Sequence, residues 1–181
     1  EDENTWDDLD IVLATSHGTI RRNKLEAFKN IRSNGLIAMK LGDDEKLIGV
    51  RTCTEEDDIV LSSRLGKAIR FPLDNLRVFA GRNSTGVRGL KLAKGDEVVS
   101  VSIVRHTDYT PEERSAYLKM ASALRGQDEV ELDDIDVDET ILDADRFEEM
   151  AANEEFLLTV SNKGFGKRTS TYEYRAANRG G

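Results

Sequence analysis

The stretch Ile11-Val12-Leu13-Ala14-Thr15-Ser16-His17-Gly18-Thr19-Ile20-Arg21-Arg22 decides how this chain is read, because it returns twice. It comes back as Ile59-Val60-Leu61-Ser62-Ser63-Arg64-Leu65-Gly66-Lys67-Ala68-Ile69-Arg70, and again as Leu157-Leu158-Thr159-Val160-Ser161-Asn162-Lys163-Gly164-Phe165-Gly166-Lys167-Arg168. Gly18 and Gly66 are 48 residues apart and Gly66 and Gly164 are 98 apart, so the second interval holds one repeat plus about fifty inserted residues. A period near fifty points to blades or an array rather than to one ordinary core. In every copy a pair of aliphatic residues and then a hydroxyl (Thr15, Ser63, Ser161) precede the glycine. That is a strand entering a tight turn, where glycine takes the positive φ that a side chain resists.

The other half of the unit repeats as well. Gly35 to Val50 lines up with Gly86 to Val101 at an offset of 51, each reading as strand, polar Gly/Asp turn, strand. One repeat is therefore expected to supply about four short strands, the content of one propeller-like blade. The fold class that follows is all-β, a partial array of four-stranded blades with a small helical acidic insertion. The expected divisions are 1–10 as an acidic lead-in, 11–58 and 59–104 as two blade repeats, 105–155 as the insertion and 156–181 as the first half of a third blade. Such an array cannot close a ring of four to eight blades, so the spacing predicts a piece of a longer protein.

Charge separates these parts. The chain carries a net charge of −9, yet residues 105–155 hold 17 acids against 5 bases, and residues 1–10 add six acids and no base. The repeats keep 12 acids and 21 bases. Four residues after each anchoring glycine stand Arg22, Arg70 and Arg168; eleven after it stand Lys29, Arg77 and Arg175. Two fully basic columns on basic blades suit a polyanion, because each Lys or Arg that neutralises a phosphate releases condensed counterions. A solvated strand face inherited by duplication gives the same columns, and a protein-interaction scaffold suits the acidic total. An independent enzyme has no support, since no phosphate-binding Gly-rich loop, nucleophile–base pair or metal cluster is present in the sequence. Cys53 is the single cysteine, and no apolar run approaches the roughly 20 residues of a membrane span. His17 and His106 lack ligand partners at metal spacing and read as surface residues.

Several motifs resemble a known family: Leu47-Ile48-Gly49-Val50, Gly66-Lys67-Ala68-Ile69-Arg70-Phe71, Thr85-Gly86-Val87-Arg88-Gly89-Leu90, and Gly164-Phe165-Gly166-Lys167-Arg168-Thr169 with Glu173-Tyr174-Arg175. In this order they resemble successive middle blades of the C-terminal domain of the bacterial DNA gyrase A protein, over roughly residues 11–104 and 156–181. The resemblance implies a β-pinwheel whose basic rim binds and wraps double-stranded DNA without sequence specificity. It also implies a parent type II topoisomerase that supercoils DNA with ATP and Mg2+ held on the partner gyrase B protein, in an A2B2 assembly, in the bacterial cytoplasm at the nucleoid, with no membrane partner and no cofactor in this part. The related domain of topoisomerase IV is the alternative. Together with the columns, the resemblance nominates Arg21, Arg22, Lys29, Arg32, Lys67, Arg70, Arg77, Arg82, Arg88, Lys167, Arg168, Arg175 and Arg179 as DNA-contacting. The gyrase box, Gln-Arg-Arg-Gly-Gly-Lys-Gly, is absent; Asn178-Arg179-Gly180-Gly181 is a faint echo of it. No tyrosine context matches the family's catalytic tyrosine, so no catalytic centre is expected.

The insertion carries its own signals. Thr110-Pro111-Glu112-Glu113 opens a helix, with Thr as N-cap, Pro at the first position and Glu113 placed for a capping box. Tyr117, Met120, Ala121 and Leu124 follow at helical spacing, and Gly126 is a stop. Asp143 is placed to cap a second helix running to Met150. Asp134, Asp136 and Asp138 have calcium-loop spacing, but Glu139 stands where that loop needs glycine. Three readings of the acidic stretch stand: a solvated excursion, a partner-docking helix, and a tethered competitor for the basic blades.

Overall fold

The structure, a computed structural model, describes residues 3–126 and 141–181. The carboxylate-rich run with its calcium-like spacing lies outside the described residues. The chain divides into two compact units, Glu1–His106 with Arg175–Gly181, and Thr107–Tyr174.

In the first unit, β1 (Asp10–Thr15) and β2 (Thr19–Lys24) form an antiparallel hairpin, and β3 (Leu47–Cys53) pairs with the other edge of β1. One repeat later β4 (Asp57–Ser63) pairs in the same way with β5 (Ala68–Pro72). β7 (Val98–Arg105) takes the place of β3, its register shifting at Ser62/Ser63 as that of β3 shifts at Ala14/Thr15. The two sheets pack through Val12, Ala14 and Ile20 on one side and Ile59, Leu61, Ile69 and Phe71 on the other, all buried. Gly18, Gly66 and Gly164 turn their hairpins at φ of 81, 90 and 83°. Gly18 has a second reason to be glycine: a Cβ there would lie 2.4 Å from the carbonyl oxygen of Leu90.

The blades differ from expectation in where the fourth strand comes from. A repeat contributes three strands to its own blade and lends the next piece backwards: β6 (Val87–Arg88) pairs with β2, giving the order β3-β1-β2-β6. The Gly18 carbonyl accepts from the amides of Gly89 and Leu90, and the Arg22 carbonyl from Phe79. The second blade repeats the device, the Arg70 carbonyl accepting from Ala177 at 2.8 Å, with parallel bridges Arg22↔Val78 and Arg70↔Ala176. This kind of strand forms on the bare edge of a preceding hairpin. Leu36 and Ile37, the counterparts of Val87 and Arg88, are in no strand here, and of the expected strand–turn–strand over 35–50 the structure shows β3.

The second unit joins the insertion to the third repeat. Helix α1 (Pro111–Leu124) starts as its residues predict: the Thr110 hydroxyl accepts from the Glu113 amide at 3.1 Å, and the Glu113 carboxylate accepts from the Thr110 amide at 2.7 Å. Asp143 caps α2 (Ala144–Asn153), which runs one turn beyond the predicted end. The hairpin β8 (Phe156–Val160) and β9 (Gly166–Ser170) follows; α1 packs on the short 3₁₀ turn after it, Thr171–Glu173, and the Met150 carbonyl of α2 accepts from Tyr172 in that turn. The core there is aromatic, with Tyr172 edge-on to Tyr109 and to Tyr117 at 5.4 Å, and Met150, Ala121 and Leu142 filling in. Tyr172 stands where the first two repeats have Glu26 and Asp74, both exposed. That exchange of an acid for an aromatic gives the helices something to bury.

Candidate nucleic-acid interface

The first basic column divides between interior and surface. Arg22 and Arg70 are each 3% exposed. Their Nε atoms donate to Asp10 Oδ2 and to Asp58 Oδ2, both at 2.6 Å, twelve residues upstream in each case. Each arginine then donates to backbone carbonyls, of Leu73 and Leu76 for Arg22 and of Arg105 for Arg70. A third group completes each cluster: Glu55 lies 3.2 Å from Arg22, and His106 Nδ1 lies 2.7 Å from Asp58. His106 is thus half-buried and paired rather than a free surface residue. In the third repeat the upstream residue is Phe156, and Arg168 is exposed, its guanidinium 4.4 Å above that ring. The sequence reading put Arg22 and Arg70 on a DNA-facing rim; the structure places both inside their blades, each held by a buried carboxylate.

Arg21 is also interior, fully buried, donating to Asn23 Oδ1 at 2.7 Å and to Ser84 Oγ at 2.9 Å. Burial, and then the neighbouring charge of Arg77, lowers its pKa from the ordinary arginine value. Arg21 and Arg77 share the ring of Phe79, at 4.7 and 4.2 Å. Arg82, half-buried, donates to the Ala27 carbonyl and lies over Phe28. Lys29 pairs with Asp7 at 2.6 Å, while Arg32, Arg175 and Lys167 are exposed.

A different cluster gathers where the third repeat reaches back to the second. Gly180 donates to the Gly89 carbonyl at 3.0 Å, and Lys91 donates to the Gly180 carbonyl at 3.0 Å. This pairing closes a groove of about 430 Å³ lined by Arg88, Lys91, Asn178, Arg179, Gly180 and Gly181. Arg179 is oriented by donating from Nε to the Asn75 carbonyl at 3.2 Å and from Nη1 to the Arg88 carbonyl at 2.5 Å. Lys67 joins from the β4–β5 turn, its Nζ donating to the Lys91 carbonyl at 3.0 Å. The lining holds three cationic side chains and no acidic one. Of the nominated residues, then, Lys67, Arg88 and Arg179 come together, and Lys91 was missed although it lies inside a quoted repeat. The signal was its neighbourhood, Arg88-Gly89-Leu90-Lys91, where the small Gly89 lets the backbone lie close on the core: a Cβ there would sit 2.7 Å from Leu61 Cδ1.

Tyr109, Tyr117 and Tyr172 take structural places. Tyr117 donates to Glu154 Oε2 at 2.8 Å, and burial followed by that carboxylate pushes its phenol up to about 12. Tyr172 donates to the Met150 carbonyl at 2.8 Å, and burial raises its pKa far above the usual tyrosine range. Among the described residues no three of His, Cys, Asp and Glu are grouped to hold a metal ion, and no helix is long and apolar enough to cross a membrane.

The family description "DNA gyrase C-terminal domain, beta-propeller" matches residues 9–54, 57–105 and 155–181, the three repeats without the insertion. The A subunit of DNA gyrase from Granulibacter bethesdensis is 54% identical over the whole chain, and that from Rickettsia prowazekii is 46% identical over the same extent. The chain spans about a fifth of the length of these relatives. Two solved structures share the fold. The DNA gyrase A C-terminal domain gives a TM-score of 0.62 at 24% identity, covering 96% of this chain and 42% of that one. The C-terminal domain of DNA topoisomerase IV gives 0.64 at 17%, covering 96% and 39%.

Proposed function

Because the chain belongs to the DNA gyrase C-terminal domain family of β-propellers, we propose that it binds the phosphate backbone of duplex DNA without reading sequence and bends the duplex along its blades. The observation that carries this is the groove of Arg88, Lys91 and Arg179, where three cations converge on one space with no acid among the lining residues. Arginine held by backbone carbonyls is already oriented before DNA arrives, so little side-chain freedom is lost on binding. Contacts of this kind fix the position of a duplex, and sequence enters only through the energy of bending it.

In this reading the chain serves a type II topoisomerase, supporting ATP-dependent negative supercoiling by an A2B2 assembly at the bacterial nucleoid. ATP and Mg2+ belong to the partner gyrase B protein, and strand cleavage to another part of the gyrase A protein. The curated relatives bear the gyrase name, which favours gyrase over topoisomerase IV. A scaffold role draws no comparable support, since converging cations with no acidic side chain in the lining suit phosphate better than protein. The test is a salt series of DNA titrations on the full-length gyrase A protein and on its Arg88→Gln/Lys91→Gln/Arg179→Gln variant. Each lost phosphate contact lowers the slope of log K against log salt by about 0.9. A variant that binds every sequence as tightly as the parent, with the same slope, refutes the assignment.

A further inference from the structure

The second unit contains a groove of about 290 Å³ between the C-terminal half of α1 and the β8–β9 hairpin. Lys119, Ser122 and Arg125 reach it from one side of the helix, and Phe156, Arg168 and Ser170 from the strands; Glu173 contributes the one carboxylate of the lining. Phe156 organises the cations. Its ring carries the Arg168 guanidinium at 4.4 Å and the Arg125 guanidinium at 5.2 Å. Arg125 is held in addition by both carboxylate oxygens of Glu154, whose side chain is 2% exposed and which also accepts from Tyr117. Glu154 therefore fixes Arg125 from behind without facing the groove. Lys119, Arg125 and Arg168 themselves are exposed.

The placement runs against the composition of the insertion. Residues 105–155 have five bases against 17 acids, and two of those five, Lys119 and Arg125, stand beside Arg168 of the third repeat. Arg22 and Arg70 are paired with Asp10 and Asp58; in the third repeat Phe156 stands in place of the aspartate and carries the Arg168 guanidinium on its ring. We infer that this groove is a second phosphate-binding site for the duplex backbone, so that the acidic insertion adds cations to the DNA-binding surface through the C-terminal half of α1. The inference rests on the DNA-binding reading above. An anion there meets a guanidinium pinned against an aromatic ring, an ammonium, and the hydroxyls of Ser122 and Ser170, a donor set suited to phosphate oxygens.

The experiment compares the full-length gyrase A protein with two variants, Lys119→Gln/Arg168→Gln and Ser122→Glu, in salt-series titrations with duplex DNA. Ser122→Glu places a negative charge in the groove while leaving every cation and the packing of Phe156 in place. One lost phosphate contact lowers the salt slope by about 0.9, which is roughly an eightfold loss of affinity at 0.1 M salt if binding is equal at 1 M. Weakening in both variants, independent of sequence, is expected. If both bind as the parent does while the Arg88/Lys91/Arg179 variant is weakened, the second site is overturned and the DNA reading stands. If all three variants match the parent, the DNA reading falls as well.

Discussion

Replacing Arg70 by methionine separates a structural arginine from a DNA-contacting one. The guanidinium is 2% exposed and its partner Asp58 is 1% exposed, at an Nε–Oδ2 distance of 2.6 Å, with a further bond to the Arg105 carbonyl at 3.0 Å. Methionine fills the stem of the site and leaves a buried carboxylate with His106 Nδ1 at 2.7 Å beside it. Breaking a buried pair from one side costs about 3 to 5 kcal/mol. Because His106 compensates in part, we expect a value near the lower end, about 3 kcal/mol. For a unit of this size that lowers the unfolding midpoint by more than about 10 °C. Thermal unfolding of the chain followed by circular dichroism reads this directly. Removing the acid too, in Asp58→Ala/Arg70→Met, recovers part of the loss, as expected of groups that share one interaction. At a temperature where the single variant is folded, its DNA salt slope matches the parent. The reasoning is refuted if Arg70→Met unfolds like the parent while its salt slope falls by about 0.9, the mark of a phosphate contact.

Two further outcomes follow from the second unit. Tyr172→Ala removes the ring on which Tyr109 and Tyr117 stand and the bond to the Met150 carbonyl, and costs about 3 to 5 kcal/mol; loss of α1 and α2 ellipticity at a lower temperature than in the parent checks it. The hydrogen bond from Arg146, joined by those of the α1 cap, holds the Glu113 carboxyl below its usual range. A depressed carboxylate pKa contributes stability that is present above the unfolded value of about 4.3 and is lost as pH falls through the lower folded value. Helix content should therefore fall on acidification in that window, and Glu113→Gln should flatten the dependence in a circular dichroism pH titration.

Turns, caps and repeat lengths were legible in the sequence because each has a local cause. Gly18, Gly66 and Gly164 mark left-handed turns by what they lack, and Thr110 with Glu113 names both halves of a reciprocal bond. Burial of a charge has no such local mark. Arg22, Arg70 and Arg168 look alike at one position, and it is the residue twelve earlier, Asp10, Asp58 or Phe156, that gives the first two a carboxylate partner and the third an aromatic one. The pairing partner of β2 was illegible for a related reason, since Val87 lies a whole repeat away and its own repeat offers an equally plausible strand. The insertion's attachment could be read from Tyr172, which replaces an acid, but only by comparing repeats at the turn after the second strand. The groove at Arg88 required the pairing of Gly180 with Gly89 before its cations could be seen to converge.

The borrowed strand has a consequence during synthesis on the ribosome. Once Arg22 has emerged, the edge of its hairpin waits for Val78, about 55 residues later; the edge at Arg70 waits for Ala176, about 105 residues later, because the insertion is made in between. At 5 to 20 residues per second, the first hairpin stays open for about 3 to 11 s and the second for about 5 to 21 s. An open strand edge is a template for pairing with another nascent chain. The insertion thus roughly doubles the time for which β5 is exposed to that hazard, and slow translation of residues 107–174 would lengthen it further.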